Sequence, residues 1–104
     1  MVRSLTADQA RELVESDDLD IIDVRDPAEW AAGHLPGARL IPLCDLRDDP
    51  KAILTRDGVL FVCAAGVRSQ TAARLAEATG LTRLYNLTGG TRGWANAGHP
   101  LVTE

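Results

Sequence analysis

The segment Gly58-Val59-Leu60-Phe61-Val62-Cys63 constrains this chain more than any other. An unbroken apolar run of that length is too short for a core helix and reads as a strand buried on both faces, which requires cover from both sides. It passes directly into Ala64-Ala65-Gly66, a small-residue turn, and then into Val67 to Thr79, which reads as a helix with Gly80 closing its C-terminus.

The rest of the chain repeats this strand-then-helix logic. Thr6 and Gln9 form a capping-box pattern before the apolar face of Ala10, Leu13 and Val14, so a first amphipathic helix is expected up to Ser16. Asp20-Ile21-Ile22-Asp23-Val24 reads as a buried strand. Asp26, Pro27 and Glu29 supply an N-cap, a proline at the first helical position and an N3 acid for a short helix through Ala32, ended by Gly33. After the Pro36-Gly37 turn, Ala38 to Pro42 reads as a second strand, Leu84 to Leu87 as a further one, and Gly89-Gly90 as the lead into a last helix around Trp94. Residues 44 to 57 are polar and weakly patterned. Alternation of this kind predicts one α/β domain over residues 1–104, with a parallel sheet between helical layers.

Composition narrows the function classes. With 45% hydrophobic and 25% charged residues the chain reads as globular, and a net charge of −4 with no basic stripe argues against nucleic-acid binding. No apolar run approaches the ~20 residues of a membrane span, and the N-terminal segment lacks the apolar stretch of a signal peptide, so a cytoplasmic protein that does not engage membranes is expected. Cys44 and Cys63 are read as free thiols, and with His34 and His99 they offer no metal-ligand spacing. No metal or organic cofactor is expected.

Chemistry is expected at Cys63. It ends a parallel strand at the edge where open α/β sheets bind ligands. The backbone N–H groups of residues 64 to 69 can curl into an anion cradle at the positive end of the following helix, with Gly66 permitting the bend. Arg68 adds a guanidinium fork and Ser69 a hydroxyl. An arginine at a helix N-terminus is itself unfavourable unless an anion sits beside it. Such a setting depresses a thiol pKa and stabilises negative charge on a thiolate, or on a persulfide extending from it. The chemistry it suits is attack on an electrophilic sulfur followed by delivery of that sulfur to a nucleophile, which needs no general base.

Those residues, VCAAGVRSQTAARLAEATG, resemble the active-site segment of rhodanese domains. The resemblance continues through Ile22-Asp23-Val24-Arg25, Glu29-Trp30, Gly33-His34-Leu35-Pro36-Gly37-Ala38, Leu87-Thr88-Gly89-Gly90 and Trp94, covering about Leu5 to Leu101. It implies a three-layer α/β/α rhodanese-like fold with a mostly parallel five-stranded sheet. It also implies a Cys63 persulfide, substrate binding by Ala64, Ala65, Gly66, Val67, Arg68 and Ser69, a small sulfur-containing anion such as thiosulfate as donor, and a thiol or cyanide as acceptor; a protein acceptor stays open. Related phosphatases have a longer loop between cysteine and arginine, so the shorter Ala64 to Val67 loop favours sulfur over phosphate or arsenate. Many members active on thiosulfate carry a basic residue directly after the cysteine, where this chain has Ala64, so a persulfide or polysulfide donor is expected to serve better than thiosulfate. The alternative from another class is a non-catalytic rhodanese-like binding module, against which Cys63, Gly66 and Arg68 count.

Among the remaining residues, Asp23 and Arg25 either line the pocket or are structural, and an Arg25–Glu29 ion pair is the expected role. His34 is read as a hydrogen-bonded structural residue, Trp30 and Trp94 as core or pocket-wall packing, and Gly89-Gly90 as a tight backbone approach near the site. Arg92 is read as solvated, and Cys44 as a bystander or, alternatively, a resolving thiol.

Overall fold

The computed structural model describes all residues, 1–104, as one five-stranded, entirely parallel sheet with helices on both faces. In chain order the elements are β1 (Val2–Leu5), α1 (Ala7–Ser16), β2 (Asp20–Asp23), α2 (Pro27–Ala32), β3 (Arg39–Leu40), α3 (Leu43–Asp48), α4 (Pro50–Ile53), β4 (Val59–Val62), α5 (Val67–Ala78), β5 (Leu84–Leu87) and α6 (Gly90–Asn96). The strands lie in the order β1-β5-β4-β2-β3, so the expected buried strand β4 is central, between β2 and β5.

Side-chain alternation along these strands builds two cores. Ile22, Val24, Val59, Phe61, Cys63 and Leu84 point to one face, where Ala72, Ala73 and Ala76 of α5 and Leu46 of α3 cover them. Ile21, Leu60, Val62, Tyr85 and Leu87 point to the other, where Ala10 of α1 and Trp94 of α6 close the layer. The alanine face of α5 lets the helix lie close on β4 and β5, which fixes where its N-terminus meets the end of β4.

The capping box at Thr6 forms as expected, and at Asp26 the N3 Glu29 carboxylate accepts the Asp26 N–H. Three features differ from the sequence reading. β1 had no strand pattern, because at the sheet edge only Leu5 of its four residues is buried. The strand expected from Ala38 to Pro42 reduces to Arg39–Leu40, since Pro42 has no N–H for the ladder and instead caps α3. The weakly patterned segment from residue 44 contains most of α3 and all of α4, each too short to repeat a helical face.

Candidate active site

Cys63 follows the last residue of β4 and is 1% exposed. The next residues reverse the chain into α5 through Gly66, whose φ of +94° lies in the left-handed region. A side chain there would also overlap the carbonyl of Thr88, so the turn demands glycine twice over. The reversal brings the Gly66 N–H to 3.0 Å from Cys63 Sγ and the Ser69 hydroxyl to 3.2 Å from it. Burial pushes the Cys63 thiol pKa up, but the Ser69 hydroxyl and the amides of Ser69, Ala65 and Gly66 outweigh it and hold the thiol below its ordinary value.

The expected cradle residues divide by exposure. Ala65 and Val67 are exposed, Ala64, Gly66 and Arg68 are half-buried, and Ser69 is buried. The far wall is α6. Thr91 N–H donates to the Cys63 carbonyl at 2.8 Å and Arg92 N–H to the Ala64 carbonyl at 3.2 Å. That approach is possible because Gly90 has no side chain, which matches the role expected of the glycine pair.

Three positioning relationships were not read from the sequence. Asn86 of β5 lies beneath the turn, donating to the Gly66 carbonyl at 3.2 Å and to Gln70 Oε1 at 2.9 Å, while its own oxygen accepts the Ser69 hydroxyl. The second concerns Arg25. The expected Arg25–Glu29 pair does not form: Arg25 turns inward to the buried Asp23 carboxylate at 2.8 Å and to the Gly33 carbonyl at 2.7 Å. The third is what Glu29 does instead. It takes the Arg68 guanidinium edge-on, with Nη1 and Nη2 donating at 2.8 and 2.9 Å. The Arg68 hydrogen bonds, joined by one from the Asp26 N–H, outweigh the opposing effect of burial and hold the Glu29 carboxyl at about 2.

The other expected bystanders lie elsewhere. His34 is buried, stacked on Trp30 with ring centroids 3.4 Å apart, and its ring nitrogens meet the carbonyl oxygens of Trp30 and Glu104. Trp94 packs in the α1–α6 layer with Nε1–H donating to the Pro100 carbonyl. Arg92 has an exposed side chain, and Cys44 is exposed on α3 and unpaired with Cys63. Both surface clefts of the molecule lie against α1, and neither includes a cradle residue.

The arrangement therefore presents a buried, acidified thiol below a small-residue anion cradle. The rhodanese-like domain family matches residues 6–97. The uncharacterized protein YqhL of Bacillus subtilis is 43% identical over 74 residues, covering 71% of this chain and 59% of YqhL, so the chain spans only about three fifths of that relative. A sulfurtransferase of Allochromatium vinosum is 34% identical over 97 residues, covering 89% of this chain and 87% of its own. Among solved structures, a rhodanese-related protein from Thermoplasma volcanium superposes with a TM-score of 0.85 at 33% identity, covering 98% of this chain and 99% of the other. The chain belongs to the rhodanese-like domain family.

Proposed function

We propose that this protein is a sulfurtransferase that carries a sulfane sulfur as a persulfide on Cys63, taking it from thiosulfate or a small persulfide and giving it to a thiol or cyanide. The observation that carries this reading is the convergence of the Gly66 N–H and the Ser69 hydroxyl on Cys63 Sγ at the N-terminus of α5. In the first half-reaction the thiolate attacks the outer sulfur of the donor. A new S–S bond forms at Sγ, the donor's own S–S bond breaks, and its electron pair leaves with sulfite or a thiolate. The outer sulfur then holds the negative charge among the amides of residues 64 to 68, which suits donors directed at that charge. In the second half-reaction cyanide or a thiolate attacks the outer sulfur, and the Cys63 thiolate leaves.

The similarity to a relative named a sulfurtransferase over most of both chains supports the reaction class. No helix is long and apolar enough to cross a membrane. A cytoplasmic setting is part of the proposal, supported by two cysteines that are both free.

Intact-protein mass spectrometry after incubation with thiosulfate or glutathione persulfide, before and after cyanide, tests the cycle. One added sulfur that requires Cys63, is absent in Cys63→Ser and leaves with cyanide is the expected result. Absence of any adduct with both donors would overturn the reading in favour of a non-catalytic binding module.

A further inference from the structure

Arg68 is the one side-chain cation within the cradle loop, and it is already engaged. Both terminal nitrogens donate to the two oxygens of Glu29, a planar bidentate pair that uses the same edge an oxyanion would take. Glu29 is no free surface acid: as the N3 residue of α2 it accepts the Asp26 N–H at 3.1 Å, so its carboxylate is pinned before any ligand arrives. The anion that Arg68 needs beside a helix N-terminus is thus supplied from within the chain. Yet the pair is not sealed. Its side chains are 36% and 34% exposed, against 6% and 1% for Arg25 and Asp23, so an entering solute meets Glu29 and Arg68 together.

The rest of the loop carries no charged side chain. Val67 is 75% exposed, and Ala64 and Ala65 stand beside it without charge. A divalent inorganic donor has to displace Glu29 from the fork or accept a carboxylate beside its own charge. An organic persulfide brings at most one charge on its sulfur, which the loop amides serve, and a thioalkyl arm that lies against Val67 and the alanines.

Resting on the sulfurtransferase reading above, we infer that Glu29 is a specificity-determining residue: by occupying the Arg68 fork it selects organic persulfides over inorganic dianions as sulfur donors. With such a donor the Cys63 thiolate attacks the outer sulfur of R–S–SH, the new S–S bond forms as the old one breaks, the electron pair leaves with RS⁻, and the proton on the transferred sulfur passes to solvent, leaving the negative charge among the loop amides.

The test is Glu29→Gln, which keeps an N3 acceptor for the Asp26 N–H and removes the charge. Two readouts are compared with the parent protein: kcat/KM for thiosulfate and for glutathione persulfide, and protection of Cys63 from iodoacetamide by inorganic sulfate. Release of a part-exposed ion pair is expected to raise kcat/KM for thiosulfate about fivefold or more, and to lower the protecting sulfate concentration by a similar factor. The value for glutathione persulfide should stay within about twofold. An equal change for both donors, or unchanged sulfate protection, overturns the inference. If neither donor loads Cys63 in either protein, the sulfurtransferase reading falls and donor selection with it, whereas sulfate protection reports on the fork independently of turnover.

Discussion

Asn86 and Cys63 compete for one proton, that of the Ser69 hydroxyl. Both N–H groups of Asn86 are committed, to the Gly66 carbonyl and to Gln70, so its oxygen can only accept, and it faces Ser69. Ser69 therefore offers a lone pair to a Cys63 thiol, and must turn its hydrogen from Asn86 to Sγ when the thiol ionises. The two ends of this relay predict opposite shifts. Ser69→Ala removes a donor to the thiolate and should move the pH midpoint of Cys63 alkylation upward; Asn86→Leu releases the hydroxyl to the sulfur and should move it downward. The pH profile of iodoacetamide modification decides, and shifts of the same sign in both variants would refute the competition.

The buried pair of Asp23 and Arg25 gives a stability prediction. The Arg25 guanidinium makes three bonds to the carboxylate and one to the Gly33 carbonyl, linking the end of β2 to the end of α2. Arg25→Met strands a buried carboxylate and should cost about 3–5 kcal/mol of unfolding free energy, read from a urea titration. The hydrogen bonds to Cys63 Sγ come from Ser69 and Gly66 and not from this pair, so a Cys63 alkylation rate unchanged under folding conditions should accompany that loss.

That pair also shows where sequence reading stops. Glu29 lies four residues after Arg25, a spacing at which local reasoning pairs them, but the partner of Glu29 is Arg68, 39 residues away and delivered by the reversal after β4. Asn86 escaped notice for a similar reason: it is one polar residue in a strand, and its role exists only because β5 lies beside β4 under the turn. The cradle itself was legible. Val59 to Val62 are uniformly apolar and central, Gly66 occupies a backbone conformation that favours glycine, and the alanines of α5 repeat at helical spacing, so each local signal agreed with the fold. Edge strand β1 and the short α3 and α4 bury too little to leave a pattern.

Gly90 and Gly93 sit in one helix and predict opposite outcomes. At Gly90, with φ +62°, a Cβ would overlap the carbonyl groups of Ala64 and Cys63, so Gly90→Ala must push α6 off the cradle backbone. A loss of about 2 kcal/mol or more is expected, together with slower alkylation of Cys63, whose carbonyl is held by Thr91. Gly93 has open space at its Cβ position and no positive φ, so Gly93→Ala should add about 0.5–1 kcal/mol by lowering the entropy of the unfolded chain. Thermal melts of the two variants should move in opposite directions.

Acid stability follows from Asp57. Its carboxylate accepts the N–H groups of Gly58, Thr82 and Arg83 and the Thr82 hydroxyl, tying the entry of β4 to the entry of β5. Burial is the largest single effect and pushes its pKa up, but the N–H groups of Thr82, Arg83 and Gly58 and the Thr82 hydroxyl together outweigh it and hold the pKa at about 2 against an ordinary 3.8. A carboxyl depressed on folding stabilises the native state above its unfolded pKa and loses that contribution as pH falls through the folded one. Asp57→Ala should therefore cost about 1 kcal/mol near pH 7, discounted for an exposed, solvent-screened site. Between about pH 4 and pH 2 the gap between parent and variant should shrink as the parent's carboxylate takes up a proton. Urea midpoints across that range give the answer: a gap that stays constant down to about pH 2 would mean that Asp57 acts through packing and not through its charge.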